Sequence, residues 1–313
     1  MILDATRNAS GSHKSLSAPV LDAEDAPQSE RAAGSATRLG VLVGYDGSQC
    51  SERALRWAAR QARASGLGLT VCQAWGPDFP VPRDEEDVLE FARQGGERVA
   101  AAGLRLARDL MGPKDVQSIL TGGTAAAVLC EHCREADMVV TGARGQGGMA
   151  GLLLGSVSEH VAEYAHGPVV VVRGHWSPAA EFGRGAIVVG ADGSPGCQAA
   201  VDFAFQQAAL WEVPVLAVCA LADARGTLGD ARVCRKDFEL TIARALEHRP
   251  QVAVQRLIAP GGARTAILSA CRGAQLVVVG PRGRGGFKGM ALGSVSQAVL
   301  HHAPCPVAVI HPA

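Results

Sequence analysis

The chain has 313 residues, 48% of them hydrophobic, enough for two ordinary domains with a buried core each. Thirty basic and thirty acidic residues cancel, which excludes a global basic field for nucleic acid and an acidic tail for a basic partner. No run approaches the ~20 apolar residues of a membrane helix, and no basic start leads into an apolar run as in a secretory signal; the expectation is a cytoplasmic protein with no membrane partner.

In chain order, residues 1–38 are rich in Ala, Ser, Asp and Gly and poor in large apolar side chains, the composition of a disordered tail. From Leu39 short apolar runs alternate with helical patterns. The runs predict strands at Leu39–Val43, Leu69–Ala74, Val116–Thr121, Met138–Thr141 and Val169–Arg173. The last contains four consecutive valines with no polar alternation, as in a strand buried on both faces. Between the third and fourth runs stands Cys130-Glu131-His132-Cys133. A zinc site needs a second ligand pair, and none is evident, so these read as two thiols on one helix; nine cysteines without framework spacing fit a reducing compartment.

The pattern then repeats. Leu42 to Ser48, with Gly44-Tyr45-Asp46-Gly47-Ser48, returns 146 residues later as Val188 to Ser194, with Gly190-Ala191-Asp192-Gly193-Ser194. Val140 to Gly145 and Leu154 to Ser158 return 138 residues later as Val278 to Gly283 and Leu292 to Ser296. The second copy has therefore lost eight residues, placed here in a Pro- and acid-rich loop at Gly76 to Gly95. The expected organisation is a domain at 39–173, a linker at 174–184 and a second domain at 185–313.

Strand–helix alternation with right-handed crossovers makes each copy a doubly wound α/β domain, a five-stranded parallel sheet in the order 3-2-1-4-5. Strands 1 and 4 are then neighbours at the switch point, where ligands bind outside the carboxyl ends of strands. Asp46 follows strand 1 and Gly142 follows strand 4, so the two repeated motifs converge there; Asp192 and Gly280 do so in the second copy.

After strand 4 the chain reads Gly142-x-x-Gly145, nine residues, then Gly155-Ser156, and again Gly280-x-x-Gly283, nine residues, then Gly293-Ser294. Glycines let backbone approach a ligand closely. Ser156 with Glu159, and Ser294 with Gln297, read as capping boxes that start a helix. A helix N-terminus supplies free N–H groups and a favourable dipole for a phosphate, and Arg144 and Arg282 add charge inside each loop. Asp46 and Asp192 have three available roles: hydrogen bonds to a ribose or adenosine, which is the first expectation, Mg²⁺ ligation, or initiation of the Asp-Gly turn. Ser48 and Ser194 read as N-caps, with Pro195 at the favoured first helical position. A Walker lysine, a strand-1 dinucleotide fingerprint and a nucleophile elbow are all missing. His160, His166, His301 and His302 fall on or just after the last helix of each copy and read as solvated or capping residues.

With these motifs the sequence resembles the universal stress protein family in its tandem, ATP-binding form, over nearly everything from Leu39 onward. The resemblance implies an adenine nucleotide α-hydrolase-like fold. It implies ATP, with Mg²⁺ as an accompanying ion, held through Gly142, Gly145, Gly155 and Ser156 and through Gly280, Gly283, Gly293 and Ser294, with Asp46 and Asp192 as the strand-1 aspartates. It further implies that Gly44 and Gly190 line the nucleoside side. Ala74, Ala220, Thr141 and Val279 then lie by the adenine, and Val157 and Val295 follow the phosphate serines. It also implies pairing through the last strands, Val169–Arg173 and Val307–His311, which gives an intrachain pseudo-dimer and leaves a homodimer open; Pro304 and Pro306 limit growth at that edge. Three functions compete: an ATP-binding stress or regulatory protein, the first choice; a slow ATPase or autophosphorylating enzyme; and an interaction module with vestigial sites. Thr141 against Val279 and Ala143 against Pro281 predict that the two sites differ.

Overall fold

The computed structural model describes residues 38–76, 86–147, 154–173, 185–194, 196–222, 231–284 and 291–312. The expected tail, the join at 174–184, Pro195 and most of the loop after the second strand lie outside these residues.

The described chain from Arg38 onward is one unit built on a single ten-stranded sheet. The first half runs β1 (Val41–Gly44), α1 (Gln49–Ser65), β2 (Leu69–Trp75), α2 (Glu86–Met111), β3 (Val116–Gly122), α3 (Ala125–His132), β4 (Met138–Gly142), α4 (Ser156–Tyr164) and β5 (Pro168–Val172). The second half repeats it as β6 (Ile187–Gly190), α5 (Cys197–Trp211), β7 (Val215–Ala222), α6 (Ala231–His248), β8 (Val254–Gly262), α7 (Ala263–Ala270), β9 (Leu276–Val279), α8 (Ser294–His302) and β10 (Val307–Ile310). The sheet order is β3-β2-β1-β4-β5-β10-β9-β6-β7-β8, so each half has the order expected from its sequence. Every pairing is parallel except β5 with β10, where Val171 faces Val307 and Val169 faces Val309. That antiparallel seam makes the intrachain pseudo-dimer and leaves neither valine strand as an open edge.

The all-apolar strands follow from helices on both faces. Val170 and Val172 belong to a core with α1, α2, α5 and α6, whereas Val169 and Val171 belong to a second core with α3, α4, α7 and α8. On the first face the halves also meet through polar groups. Gln61 of α1 donates to the Gln207 side chain of α5 at 2.8 Å, and Trp211 donates to Gln61 at 3.1 Å. All three are buried, and Trp211 stands edge-on to Trp57. On the other face Arg173 donates to the His301 carbonyl of α8, and His311 bonds the Ala162 carbonyl of α4.

The length difference between the halves is not a loop deletion. α2 has 26 residues and α6 has 18, so two extra turns of helix carry it, and Glu86 to Gly95 is helical. A Gly95-Gly96 pair argues against a helix by propensity. Gly96 is required instead by packing: a Cβ there would lie 2.7 Å from the Trp75 Cβ. Gly103, further along α2, likewise meets the Tyr45 ring.

Candidate functional site

β1 lies between β2 and β4, with Val43 level with Val140 and Gly44 level with Cys72. The turn after β1 and the glycine loop after β4 therefore emerge side by side, and the same holds for β6 and β9. Asp46 fastens them together. One carboxylate oxygen accepts the Ser48 N–H at 3.0 Å, and the other accepts the Gln146 N–H at 2.9 Å. The Gln146 side chain returns the contact to the Asp46 carbonyl. In the second half Asp192 accepts Ser194 N–H at 2.9 Å and Arg284 N–H at 2.7 Å. Burial pushes the Asp46 pKa up, but hydrogen bonds from Ser48, Ser51 and Gln146 outweigh it and hold the carboxyl below its usual range. These bonds make Asp46 a turn-former and loop clamp.

The clamp explains the second glycine of each motif. A Cβ on Gly145 would lie 2.6 Å from Asp46 Oδ2, and one on Gly283 the same distance from Asp192 Oδ2. The first glycine is needed in the first half, where a Cβ on Gly142 would meet the Cys50 carbonyl at 2.6 Å; around Gly280 there is more room. Gly44 and Gly190 make space for Leu129 and Ile267 of the helices behind them.

The far end of each loop is tied back as well. Gly155 N–H donates to the Ala143 carbonyl at 2.8 Å, and Gly293 N–H to the Pro281 carbonyl at 2.7 Å. Ser158 and Ser296, the second serines of the repeated Gly-Ser-Val-Ser, donate to the Gly142 and Gly280 carbonyls. The repeat contained these serines, but nothing in their spacing marked them as braces.

The capping boxes do not form. Gly155 and Gly293 are the N-caps, with no side-chain cap hydrogen bond, and Ser156 and Ser294 are the first helical residues, both exposed. A Ser-x-x-Glu pattern fits either register, and the loop ties select this one. An uncapped first turn leaves its N–H groups free for an anion. Arg144 and Arg282 are exposed beside these turns, and Val157 and Val295 follow the exposed serines half-buried. Thr141 is buried with no hydrogen-bond partner for its hydroxyl; Val279 stands there in the second half. Ala74 and Ala220 are half-buried near the ends of β2 and β7.

One cap differs between the halves. Ser48 caps α1, accepting the Ser51 N–H at 3.2 Å and exchanging a hydrogen bond with the Ser51 hydroxyl. Cys197 replaces Ser51 in the second half, and the expected Ser194 cap is not made: α5 starts after Gly196 with no side-chain cap. Cys130 and Cys133 sit at the end of α3, where the Cys133 thiol donates to the Cys130 carbonyl. Among the described residues no group of three His, Cys, Asp or Glu side chains is placed to hold a metal, and no helix is long and apolar enough to cross a membrane.

The model of the universal stress protein family matches residues 40–173 and again 183–311. The chain belongs to the universal stress protein family. A universal stress protein of Mycolicibacterium smegmatis is 35% identical to it over 293 residues, 89% of this chain and 99% of that protein. One from Mycobacterium tuberculosis is 34% identical, over 87% of this chain and 95% of its own. A solved universal stress protein from Archaeoglobus fulgidus superposes with a TM-score of 0.68 at 19% identity, covering 88% of this chain and 98% of that one, a likeness of fold. The tandem arrangement thus extends over both universal stress protein domains of the chain.

Proposed function

We propose that this universal stress protein binds adenine nucleotide, ATP, at two sites, one in each half, and that it acts by holding the ligand rather than turning it over. One observation carries this. Each half presents an uncapped helix N-terminus, with an exposed serine in its first turn, beside a glycine loop whose start an aspartate fastens to the turn after the first strand. Free N–H groups, the helix dipole and one arginine per loop suit a phosphate chain. Gly155, Ser156 and Arg144 would hold phosphates in the first half, and Gly293, Ser294 and Arg282 in the second. Ala74 with Thr141, and Ala220 with Val279, flank the place for the base. The unpartnered Thr141 hydroxyl supplies a hydrogen bond there that Val279 lacks.

Mg²⁺, if it travels with the nucleotide, would be held chiefly by phosphate oxygens and water; Asp46 and Asp192 accept one backbone N–H on each oxygen, which leaves a lone pair on each for the ribose or the ion. Family membership supports a stress or regulatory role, and each half, 39–173 and 185–313, would act as one domain.

Thermal unfolding with and without ATP tests the proposal. At 100 times its Kd, ATP stabilises the native state by about 2.7 kcal/mol for each site filled. A wild-type chain whose unfolding is indifferent to ATP, with or without Mg²⁺, would sink it.

A further inference from the structure

The two sites are not equivalent, and the difference lies beside the strand-1 helix rather than in the shared motif. In the second half a cleft of about 530 Å³ opens between the N-terminus of α5 and the glycine loop, lined by Gly193, Ser194, Gly196, Asp237, Arg282 and Arg284. Three features make it receptive to an anion. The first turn of α5 has no side-chain cap. The Ser194 hydroxyl oxygen is buried and makes no full hydrogen bond; its neighbour is the Cys197 thiol, a weak partner. Two guanidinium groups, Arg282 and Arg284, share the lining.

Arg284 is held ready over this cleft. Its N–H is fixed on Asp192, and its guanidinium bonds Asp237 and the Cys234 sulfur on α6. Burial works against its charge, and the Asp237 bond outweighs that and keeps it fully protonated. Arg284 and Asp237 are each about one-third exposed, so the pair opens at little cost when a stronger anion arrives. The first half has none of this. Gln146 stands for Arg284, Val99 packs near Gly47 where Asp237 packs near Gly193, and Ser48 closes the helix N-terminus.

We infer that the second half contains an additional phosphate subsite, formed by Ser194, the first turn of α5 and Arg284, that selects nucleoside polyphosphates over monophosphates. The inference rests on the proposed nucleotide site. Arg282 belongs to both the α8 cradle and the cleft at α5, so a chain of two or more phosphates spans them and a single phosphate fills only one. The first half, closed by Ser48 and neutral at Gln146 and Val99, accepts mono- and polyphosphates more evenly.

Titration calorimetry of the full chain with ATP, AMP and inorganic tripolyphosphate tests this, on wild type, Arg284→Gln and Ser194→Ala. Glutamine is the first half's own residue at that position, and the Ser194 hydroxyl has no full bond to lose, so both variants are expected to fold; unfolding curves check it. Arg284→Gln should weaken ATP at one of the two sites by about tenfold or more, as loss of a hydrogen bond to a charged group does, with tripolyphosphate weakened to a similar degree at that site and AMP unchanged. Ser194→Ala should shift ATP in the same direction by less. If both nucleotides bind wild type and neither variant alters the ATP-to-AMP ratio, the subsite is refuted and the two-site proposal stands. If wild type binds tripolyphosphate through Arg284 but no nucleotide, the nucleotide proposal falls and the subsite stands. If no phosphate compound binds, both fall.

Discussion

With both oxygens of Asp46 on backbone N–H groups, its geometry is that of a hinge pin between two turns. That makes the neighbouring glycine the sensitive position. Gly145→Ala drives its methyl into Asp46 Oδ2 and displaces the bond to Gln146, at about 1.5–3 kcal/mol for a hydrogen bond to a charged group. Gly155→Ala meets its nearest atoms at 3.4 Å with an ordinary φ of −88°, and should cost less than about 1 kcal/mol. Urea unfolding of the two variants separates them; equal losses would mean that the clamp is not what the second glycine serves. At this scale the sequence revealed which residues cluster but not the contacts they make. Asp-Gly-Ser is written alike in both copies, yet Ser48 caps and Ser194 does not: the Ser51 N–H donates to the Ser48 hydroxyl, whereas the equivalent Cys197 N–H donates to the Ser194 carbonyl, and α5 starts only at Cys197. The bonding of each aspartate likewise depends on Gln146 or Arg284, 100 and 92 residues distant in the chain, and no local pattern encodes that.

The strands and most helices were legible because their signals are local. A valine run buried on both faces has no competing interpretation, and the strand limits differ from expectation only at their ends. α2 was the exception, its first turns hidden by acidic residues and by two glycines, of which Gly96 is required by contact with Trp75 of β2. The end of α5 shows the reverse case, a helix stop that the sequence does not advertise. α1 ends on Gly66 at φ 66°, whereas α5 ends on Glu212 at φ 56°, the only described non-glycine residue with positive φ. A left-handed conformation costs a side-chain-bearing residue about 1–2 kcal/mol, and glycine gives back roughly 0.5–1 in backbone entropy. Glu212→Gly should therefore stabilise the chain by about 0.5–1 kcal/mol in urea unfolding, with α5 unchanged. A destabilised variant would show that the Glu212 side chain makes up for its backbone.

At the scale of the whole molecule, the sheet order and the seam at β5 and β10 followed from pattern and from pairing of exposed edges. The polar ties across that seam did not, because they join residues far apart in the chain: Gln61 to Gln207 between α1 and α5, and Arg173 and His311, just beyond the terminal strands, to the other half's last helix. His311 is the titratable one. Its Nε2–H donates to the Ala162 carbonyl, in the last turn of α4, where helix carbonyls lack internal partners. Burial lowers its pKa from 6.5, the bond to Ala162 opposes that, and His166 and Arg282 add positive charge that lowers it further. The native chain then binds fewer protons than the unfolded chain between the depressed value and 6.5. Stability from this group is fully present above about pH 6.5 and is lost as pH falls through that window. Unfolding by urea should thus require progressively less denaturant from pH 7.5 down to 5.5. His311→Gln keeps an N–H for Ala162 but cannot titrate, so its dependence over the same range should be flatter. A variant as steep as wild type would place the sensitivity elsewhere. A flatter one would make the seam, rather than either half's core, the part of the fold that weakens first in mild acid, with Arg282 of the second glycine loop electrostatically joined to it.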